Sequence, residues 1–294
     1  MSLPVAVSLP SSEETPSARE AILELLASRR GVDFRDYRVE ALDRGMEARM
    51  NALGVHRIDE YRAHVERDGG EVDRLLSALV VPFTGFFRDG PVFEALRVRV
   101  LPQLLRAVPP ALPLRTWTVG VATGEEAWSL AMLLADACGG AAPWRFNVIA
   151  SDVDSSSLAV ARQASYPLEA ACAIPAALRA RFVEREHGTF QIAGSLQPYV
   201  RFAQHDLMGR VLAPREAVVA SFALVLARNV LIYFDRRLQH KALERLAAVI
   251  EPGGVLVIGD VEVLPPALGH LFAPYPGLDA RLRIFQRRDG QPPA

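Results

Sequence analysis

The stretch Arg115–Ala137 reads RTWTVGVATGEEAWSLAMLLADA, and the fold of the chain is organised around it. Its first half predicts a buried strand that ends at Gly120, and its second half predicts a helix because apolar residues recur along one face. Gly120 and Gly124 lie in the loop between them, where a missing Cβ allows a tight turn and the close approach of a ligand. In open α/β sheets this arrangement places a small ligand between the strand end and the helix amino terminus.

Two carboxylates follow this loop and favour a cationic ligand over a phosphate. The spacing of Gly120 and Gly124 differs from both the Gly-x-Gly-x-x-Gly fingerprint and the lysine-bearing P-loop. Glu125 and Glu126 would repel a pyrophosphate and attract an ammonium or sulfonium group, and S-adenosylmethionine carries both. The spacing alone is equally compatible with an ordinary helix start, where the helix dipole favours acids.

Length and composition limit the classes of protein to consider. The chain has 294 residues, is half hydrophobic and has a net charge of −1, so we expect about two domains at roughly 150 residues each. The charge argues against a general nucleic-acid or membrane-surface binder, and no apolar run reaches the roughly 20 residues that cross a bilayer. Cys138 and Cys172 form neither a disulfide framework nor a metal pair, which fits a reducing cytoplasm. We expect no metal site and a flexible arm at residues 1–16.

Residues 17–80 predict a small all-helical domain. Ser17 and Glu20 have the spacing of a capping box, in which each side chain binds a backbone amide at a helix start. The pattern after this first helix stays helical and is rich in arginine. Arg44 and Arg49 either belong to a solvated helix face or bind a partner.

Residues 81–113 predict a linker that contains a helix. Phe86 and Phe87 cannot both face one core from one helix position, so at least one of them is expected to line a boundary or a pocket. An arginine beside such aromatic rings, here Arg88, is held by stacking and directed by its planar fork.

From residue 114 to about 288, strands alternate with helices, which predicts a parallel sheet covered on both faces. Asp152 lies at the tip of the second strand, where an acid accepts hydrogen bonds from ribose hydroxyls, and Asp154 is expected to cap the next helix. Asp206 and Leu207 follow a later strand and suit an adenine ring. We predict the last strand at 281–285.

Two further segments of this region carry functional hypotheses. Residues 182–192 predict an inserted antiparallel ribbon that turns at His187 and Gly188. Its open edge either accepts a peptide by strand addition or is a decorative insertion. Arg228, Asn229 and Tyr233 follow a dry central strand, at the end where α/β enzymes place reacting groups.

In order along the chain, six motifs resemble the CheR-type chemotaxis receptor methyltransferases. They are Phe-Phe-Arg-Asp, Gly-x-x-x-Gly-Glu-Glu, Ala-Ser-Asp-Val-Asp, His-Asp-Leu, Arg-Asn-Val-Leu-Ile-Tyr-Phe and a Pro-Gly-Gly strand entry, and their order and spacing hold from about residue 17 to 288. The resemblance implies a Rossmann-like S-adenosylmethionine domain with a seven-stranded mixed sheet, an all-helical amino-terminal domain and a small antiparallel β-subdomain at about residues 182–204. It also implies an enzyme that methyl-esterifies glutamate side chains on the cytoplasmic helical domain of chemoreceptors.

The resemblance further implies the residues of the site. Arg88 and Tyr233 match residues that shape the methyl-transfer site, and Arg44 and Arg49 lie on the second helix, where the family carries receptor-binding arginines. The positions that match the cofactor pocket are Thr84, Arg88, Gly120, Gly124, Glu125, Asp152, Asp206, Leu207, Arg228 and Asn229, with Glu126 as an alternative to Glu125.

The sequence departs from the family pattern at four places. Pro82 and Phe83 precede Thr84, Val121 and Ala122 occupy the glycine loop, and Gly259-Asp-Val-Glu262 replaces a more familiar pair. Asp43, Gly45 and Ala48 interrupt the run of arginines on the second helix.

Two other functions are compatible with the same sequence. One is a sensor or scaffold that binds S-adenosylmethionine or its demethylated product without turnover. The other is a methyltransferase that acts on a different protein or on a small molecule. Whichever function holds, we expect a monomer that neither binds nucleic acid nor inserts into a membrane.

Overall fold

The computed structural model describes residues 17–80, 84–186 and 188–288. The expectations for the arm at residues 1–16, for Pro82 and Phe83 and for His187 of the ribbon turn lie outside the described residues. None of the described helices is long and apolar enough to cross a lipid bilayer.

The amino-terminal part is all-helical, as predicted. Ser17 and Glu20 form the capping box, because the Ser17 hydroxyl accepts from the Glu20 amide and the Glu20 carboxylate accepts from the Ser17 amide. Gly31 ends the first helix in the left-handed conformation, with φ of 73°, which a residue without a Cβ adopts readily. The helices are α1 (Ala18–Arg30), α2 (Val39–Leu53), α3 (Ile58–Arg67) and α4 (Gly69–Leu79).

A continuous helix links the two domains. It consists of α5 (Gly90–Ala95), a π-helical turn (Leu96–Val100) and α6 (Leu101–Ala107). Just before it, Phe86 and Phe87 are both buried. Phe86 packs on Phe190 of the smaller sheet described below, and Phe87 packs on Phe93. The positive φ of 50° at Phe87 turns the chain between the two rings. Phe86 therefore lies at the boundary with the smaller sheet. Neither ring lines the cavity described below.

The second domain is built on a seven-stranded mixed sheet, which confirms the predicted fold class. Five strands are parallel, and the last two along the chain are antiparallel to their neighbours. The strands are β1 (Leu114–Val119), β2 (Phe146–Asp152), β6 (Val200–Gln204), β7 (Phe222–Ala227), β8 (Ile250–Ile258), β9 (Phe272–Pro274) and β10 (Ile284–Arg287). Their spatial order in the sheet is β6-β2-β1-β7-β8-β10-β9.

The prediction for the last strand was wrong by about three residues. Residues 280–282 form a single 3₁₀ turn instead, because the Asp279 carboxylate accepts from the Arg281 amide and caps it. Arg283 then has a left-handed conformation, and only from Ile284 onward does the chain pair with β8.

Alternate residues of the central strands face two different cores. On β7, Leu224 and Leu226 belong to the core that contains the linker helix, and Val225 belongs to the core shared with the amino-terminal helices. The helical domain therefore packs against the sheet domain through continuous apolar contact. The remaining helices are α7 (Glu125–Cys138), α8 (Ser155–Gln163), α9 (Ala176–Phe182) and α10 (Arg236–Val249).

A three-stranded antiparallel sheet interrupts the alternation, as predicted. It is formed by β3 (Ser165–Pro167), β4 (Val183–Arg185) and β5 (Thr189–Ile192) in the order β3-β5-β4. Its boundaries differ from the expected 182–204, because β3 lies before that range and Val200–Gln204 pairs in parallel with β2 of the large sheet. A three-residue strand is too short to produce a periodic sequence pattern.

Candidate functional site

A cavity lies at the carboxyl ends of the parallel strands, where the helical domain meets the sheet. The space open to the centres of water molecules is about 270 Å³. Segments that are distant in sequence meet there, and the lining includes these predicted residues: Thr84, Arg88, Gly120, Asp152, Asp206, Leu207, Arg228, Asn229 and Tyr233. Gly124, Glu125, Arg44 and Arg49 are not part of the lining.

The two glycines of the loop after β1 have different roles. A Cβ on Gly120 would lie 2.4 Å from Val230 Cγ2, so Gly120 lets the loops after β1 and β7 pack directly on each other. A Cβ on Gly124 would lie 2.7 Å from the Cβ of Ala161, so Gly124 permits the contact between α7 and α8. Gly124 therefore serves helix packing, whereas Gly120 shapes the cavity wall.

Asp152 connects the loops after β1 and β2. One carboxylate oxygen accepts from the Ala122 amide at 2.8 Å, and the other accepts from the Asp154 amide at 2.9 Å. Burial raises the pKa of Asp152, and the nearby Asp154 adds to the effect. Each oxygen has a second lone pair that remains available for a ligand hydroxyl. Asp154 itself caps α8, as predicted, by accepting from the Ser156 amide.

Asp206 and Leu207 line the cavity just after β6, the strand next to β2. The Asp206 carboxylate accepts from the Met208 amide at 2.8 Å, and burial raises its pKa. Leu207 is buried beside it. Arg245 of α10 donates to the carbonyls of Leu207 and Gly209, both at 2.7 Å, and so fixes the loop.

His205 lines the same cavity, and the sequence analysis gave it no role of its own. Its Nε2 is buried and has no hydrogen-bond partner within the described residues, and its ring centre lies 5.6 Å from that of Trp117. Burial lowers the pKa of His205 to about 4, and the Arg245 guanidinium acts in the same direction. The imidazole is therefore neutral at pH 7.

This histidine is expected to make folding stability depend on pH. As the pH falls below 6.5 the unfolded chain takes up a proton, whereas the folded chain does so only near a pKa of about 4. We expect the free energy of unfolding to fall across this window by up to about 3 kcal/mol from this residue alone. Urea unfolding of His205→Gln between pH 7 and 4 should show a weaker pH dependence. The exposed His56→Gln is the control, and an equal change in both variants would contradict the assignment.

The two acids at the start of α7 point to different partners. Glu125 accepts from the Thr123 hydroxyl at 2.7 Å and lies outside the cavity lining. Glu126 lines the cavity and pairs with Arg228 at 2.9 Å. Burial raises the pKa of Glu126, and the Arg228 guanidinium opposes the rise. Of the two positions, Glu126 is the one that the fold brings to the cavity.

Arg228 is a buried connector between three loops. Its side chain is 2% exposed, and besides Glu126 it contacts the Asp89 carboxylate and the Arg88 carbonyl, the latter at 3.1 Å. Its guanidinium carbon also lies 5.5 Å from the ring centre of Phe93. Both terminal nitrogens are thus used by the protein, so Arg228 positions the loop that carries Arg88.

Glu262, which the sequence analysis named only as a departure from the family pattern, holds the loop after β7. It is 4% exposed and accepts from the backbone amides of Asn229, Leu231 and Ile232, at 3.2, 2.7 and 3.3 Å, and from that of Gly259. Burial raises its pKa, and these amides oppose the rise. The signal in the sequence was a carboxylate directly after a buried strand.

Tyr233 lies at the end of this loop and lines the cavity together with Arg88. Burial raises the pKa of Tyr233, and the positive charges of Arg44 and Arg88 act in the opposite direction. Arg44 comes from the exposed side of α2 and is not part of the cavity lining. The cavity therefore holds both predicted methyl-transfer residues, and the charge of a helical-domain arginine acts on one of them.

Arg49 has a different environment. It makes a two-point ion pair with Glu71, with both N···O distances at 2.9 Å, and the Glu71 side chain is 1% exposed. Arg74 and Tyr61 also donate to this carboxylate. A buried carboxylate requires such partners, so Arg49 stabilises the helical domain.

The polar and apolar groups that line the cavity suit S-adenosylmethionine. Asp152 and Asp206 offer acceptors to hydroxyl and amine groups, Leu207 offers an apolar face, and the lining is predominantly apolar. Phosphate recognition relies on cations, whereas carboxylates such as those of Glu126, Asp152 and Asp206 line this cavity and would repel an anion.

Comparison with known proteins is consistent with this geometry. The family model described as the all-alpha domain of CheR methyltransferase matches residues 18–80, and the model of the CheR methyltransferase S-adenosylmethionine-binding domain matches residues 82–276.

Three curated relatives show how much of each protein is shared. Chemotaxis protein methyltransferase 2 of Pseudomonas aeruginosa is 31% identical over 85% of this chain and 86% of its own length. The chemotaxis protein methyltransferase of Salmonella typhimurium is 30% identical over 82% of each chain. An uncharacterised 104.1 kDa protein of Rhodobacter capsulatus is 32% identical over 93% of this chain, which spans only 28% of that protein. The chain belongs to the CheR methyltransferase family, with an all-helical domain followed by an S-adenosylmethionine-binding domain.

Proposed function

We propose that this protein methyl-esterifies glutamate side chains on the cytoplasmic helical domain of chemoreceptors. The observation that carries the proposal is that Arg88 and Tyr233 line the same cavity as Asp152 and Asp206. The guanidinium of Arg88 is suited to holding a carboxylate, and the helical domain contributes the positive charge of Arg44, which acts on Tyr233. The relatives in Pseudomonas aeruginosa and Salmonella typhimurium carry chemotaxis methyltransferase names, which supports a chemoreceptor as the partner and the cytoplasm as the location.

In this proposal the cavity residues divide the binding of the cofactor between them. Asp152 accepts the ribose hydroxyls, and Asp206 accepts the adenine amine while Leu207 packs on the ring. Glu126, rather than Glu125, is the acid closest to the reacting end. Thr84, Gly120 and Asn229 complete the wall.

When bound, S-adenosylmethionine would supply a methyl group on a positively charged sulfur: the carboxylate oxygen would bond to this methyl group in line as the methyl–sulfur bond breaks, and neutral S-adenosylhomocysteine would leave. A glutamate side chain is ionised at neutral pH, so the protein need not provide a general base. Arg88 orients the incoming carboxylate, and Arg44 guides it from the helical domain. Tyr233 keeps its proton at neutral pH because the ordinary pKa of tyrosine is near 10 and burial raises it further, so its hydroxyl remains a hydrogen-bond donor. Alignment and the exclusion of water supply most of the rate.

The type of bond formed tests this proposal. Incubation with methyl-labelled S-adenosylmethionine and a receptor fragment should label the fragment, and mild base should release the label as methanol. A matched fragment with glutamine in place of the accepting glutamates should stay unlabelled. Label that survives base would contradict esterification, and cofactor binding without label on any receptor fragment would favour the sensor.

A further inference from the structure

The segment just before α2 is bonded directly to the loop that carries Tyr233. The Arg38 amide donates to the Tyr233 carbonyl at 2.9 Å, and Arg38 Nε donates to the Phe234 carbonyl at 3.1 Å. In the other direction, the Asp235 amide donates to the Asp36 carbonyl at 3.2 Å. These three bonds join the helical domain to the backbone of Tyr233 and of the two residues that follow it.

Aromatic packing reinforces the same junction. Tyr37 and Phe234 form an antiparallel bridge, and their ring centres lie 4.9 Å apart with the planes close to perpendicular. Both residues are buried and line the cavity. The junction therefore continues into the cavity wall.

Within the described residues, the Arg38 side chain shows a hydrogen bond to the Phe234 carbonyl and no ion pair. It occupies the cap position of α2, but its side chain makes no capping hydrogen bond. The residue as a whole is exposed, and its Nε reaches across the domain boundary to a single loop carbonyl. A guanidinium held in this way fixes the backbone that follows Tyr233.

We propose that Arg38 is a positioning residue for Tyr233, through which the helical domain sets the geometry of the methyl-transfer site. The inference rests on the proposed role of Tyr233. Because α2 begins at the next residue, Val39, the helix that carries Arg44 is bonded directly to the loop on which the reaction depends. The helical domain is then part of the reacting site as well as a surface for the receptor.

The alternative role for an exposed arginine here is to attract an acidic receptor. The two roles differ in kinetics, because a docking residue changes KM whereas a residue that aligns reacting groups changes kcat. Alignment errors of about 1 Å far from the chemistry can cost 10²-fold in rate.

The test compares three variants of the full chain. We expect Arg38→Ala to lower kcat about 10-fold with KM for a receptor fragment changed less than about 2-fold, because the loss affects alignment. Arg38→Lys keeps a donor and should recover part of the rate. Arg29→Ala is the matched control, since Arg29 also donates to two backbone carbonyls, those of Val65 and Glu66, but within the helical domain. It should leave both constants unchanged.

Hydrogen exchange tests the junction without any receptor. Peptides that cover residues 230–235 should exchange several-fold faster in Arg38→Ala than in the unaltered chain or in Arg29→Ala, because local opening becomes easier. A rise in KM at constant kcat, or unchanged exchange in these peptides, would overturn the proposal. If the unaltered protein fails to esterify glutamate, the proposed function fails, and the exchange measurement still decides the role of Arg38.

Discussion

Replacement of Arg228 with methionine is expected to lower the free energy of unfolding by about 3–5 kcal/mol, since breaking a buried ion pair leaves an uncompensated charge. The charge left behind is that of Glu126, whose side chain is 13% exposed and pairs with Arg228 at 2.9 Å. The same change removes the contacts to Asp89 and to the Arg88 carbonyl. We therefore expect methyl transfer to be lost together with stability. Urea unfolding at pH 7 measures the loss of stability.

Two comparisons separate the buried pair from arginine loss in general. Arg281→Met breaks an exposed pair with Asp279, in which the arginine side chain is 90% exposed, and should lower the free energy of unfolding far less than Arg228→Met. Adding Glu126→Gln to Arg228→Met removes the stranded charge and should recover about 1–2 kcal/mol. Equal losses in Arg228→Met and Arg281→Met, or no recovery in the double variant, would show that the buried network does not stabilise the fold.

The sequence predicted the fold class because its signals are local and strong. Dry strands, a glycine turn and amphipathic helices predict an open α/β sheet. The cap at Ser17 and the cap at Asp154 were also predicted, since capping depends on residues two or three positions away. The short strand Ser165–Pro167 was missed, because its pairing with Thr189–Ile192 is a tertiary contact with no local signal.

Individual site positions were harder to predict, because residue type alone does not reveal which neighbour a side chain meets. Glu125 and Glu126 are adjacent acids, yet only Glu126 faces the cavity. Gly124 resembles a ligand-binding glycine in sequence but meets Ala161 of a neighbouring helix. Arg49 resembles a receptor-binding arginine but is paired with the buried Glu71.

Residues contributed by distant segments could not be found from spacing at all. Tyr37 reaches the cavity from the helical domain, and Glu262 holds a loop that lies about thirty residues earlier in the chain. Tyr37 and Glu262 reach these positions only because folding brings the two domains and the ends of the strands together. No motif of a few residues encodes such contacts.

Replacement of Asp152 with asparagine is expected to weaken S-adenosylmethionine binding by about 10- to 100-fold, which corresponds to the roughly 1.5–3 kcal/mol of hydrogen bonds to a charged group. Both carboxylate oxygens already accept backbone amides, from Ala122 and Asp154. An asparagine side chain directs its NH₂ group at one of these donors, so the loop loses a hydrogen bond as well as a charge. Titration calorimetry measures the affinity, with Asp136→Asn on the far end of α7 as the control.

The pH dependence of binding gives a second signature of the same residue. Burial raises the pKa of Asp152 above its ordinary value of 3.8, so the carboxyl keeps its proton to a higher pH in the cofactor-free protein. Ribose hydroxyls donate to the ionised form and lower that pKa, so affinity should rise as the pH increases through the raised pKa, and binding should release protons there. Asp152→Asn should flatten this part of the profile, whereas an unchanged profile would mean that another acid, such as Asp206, accepts the ribose.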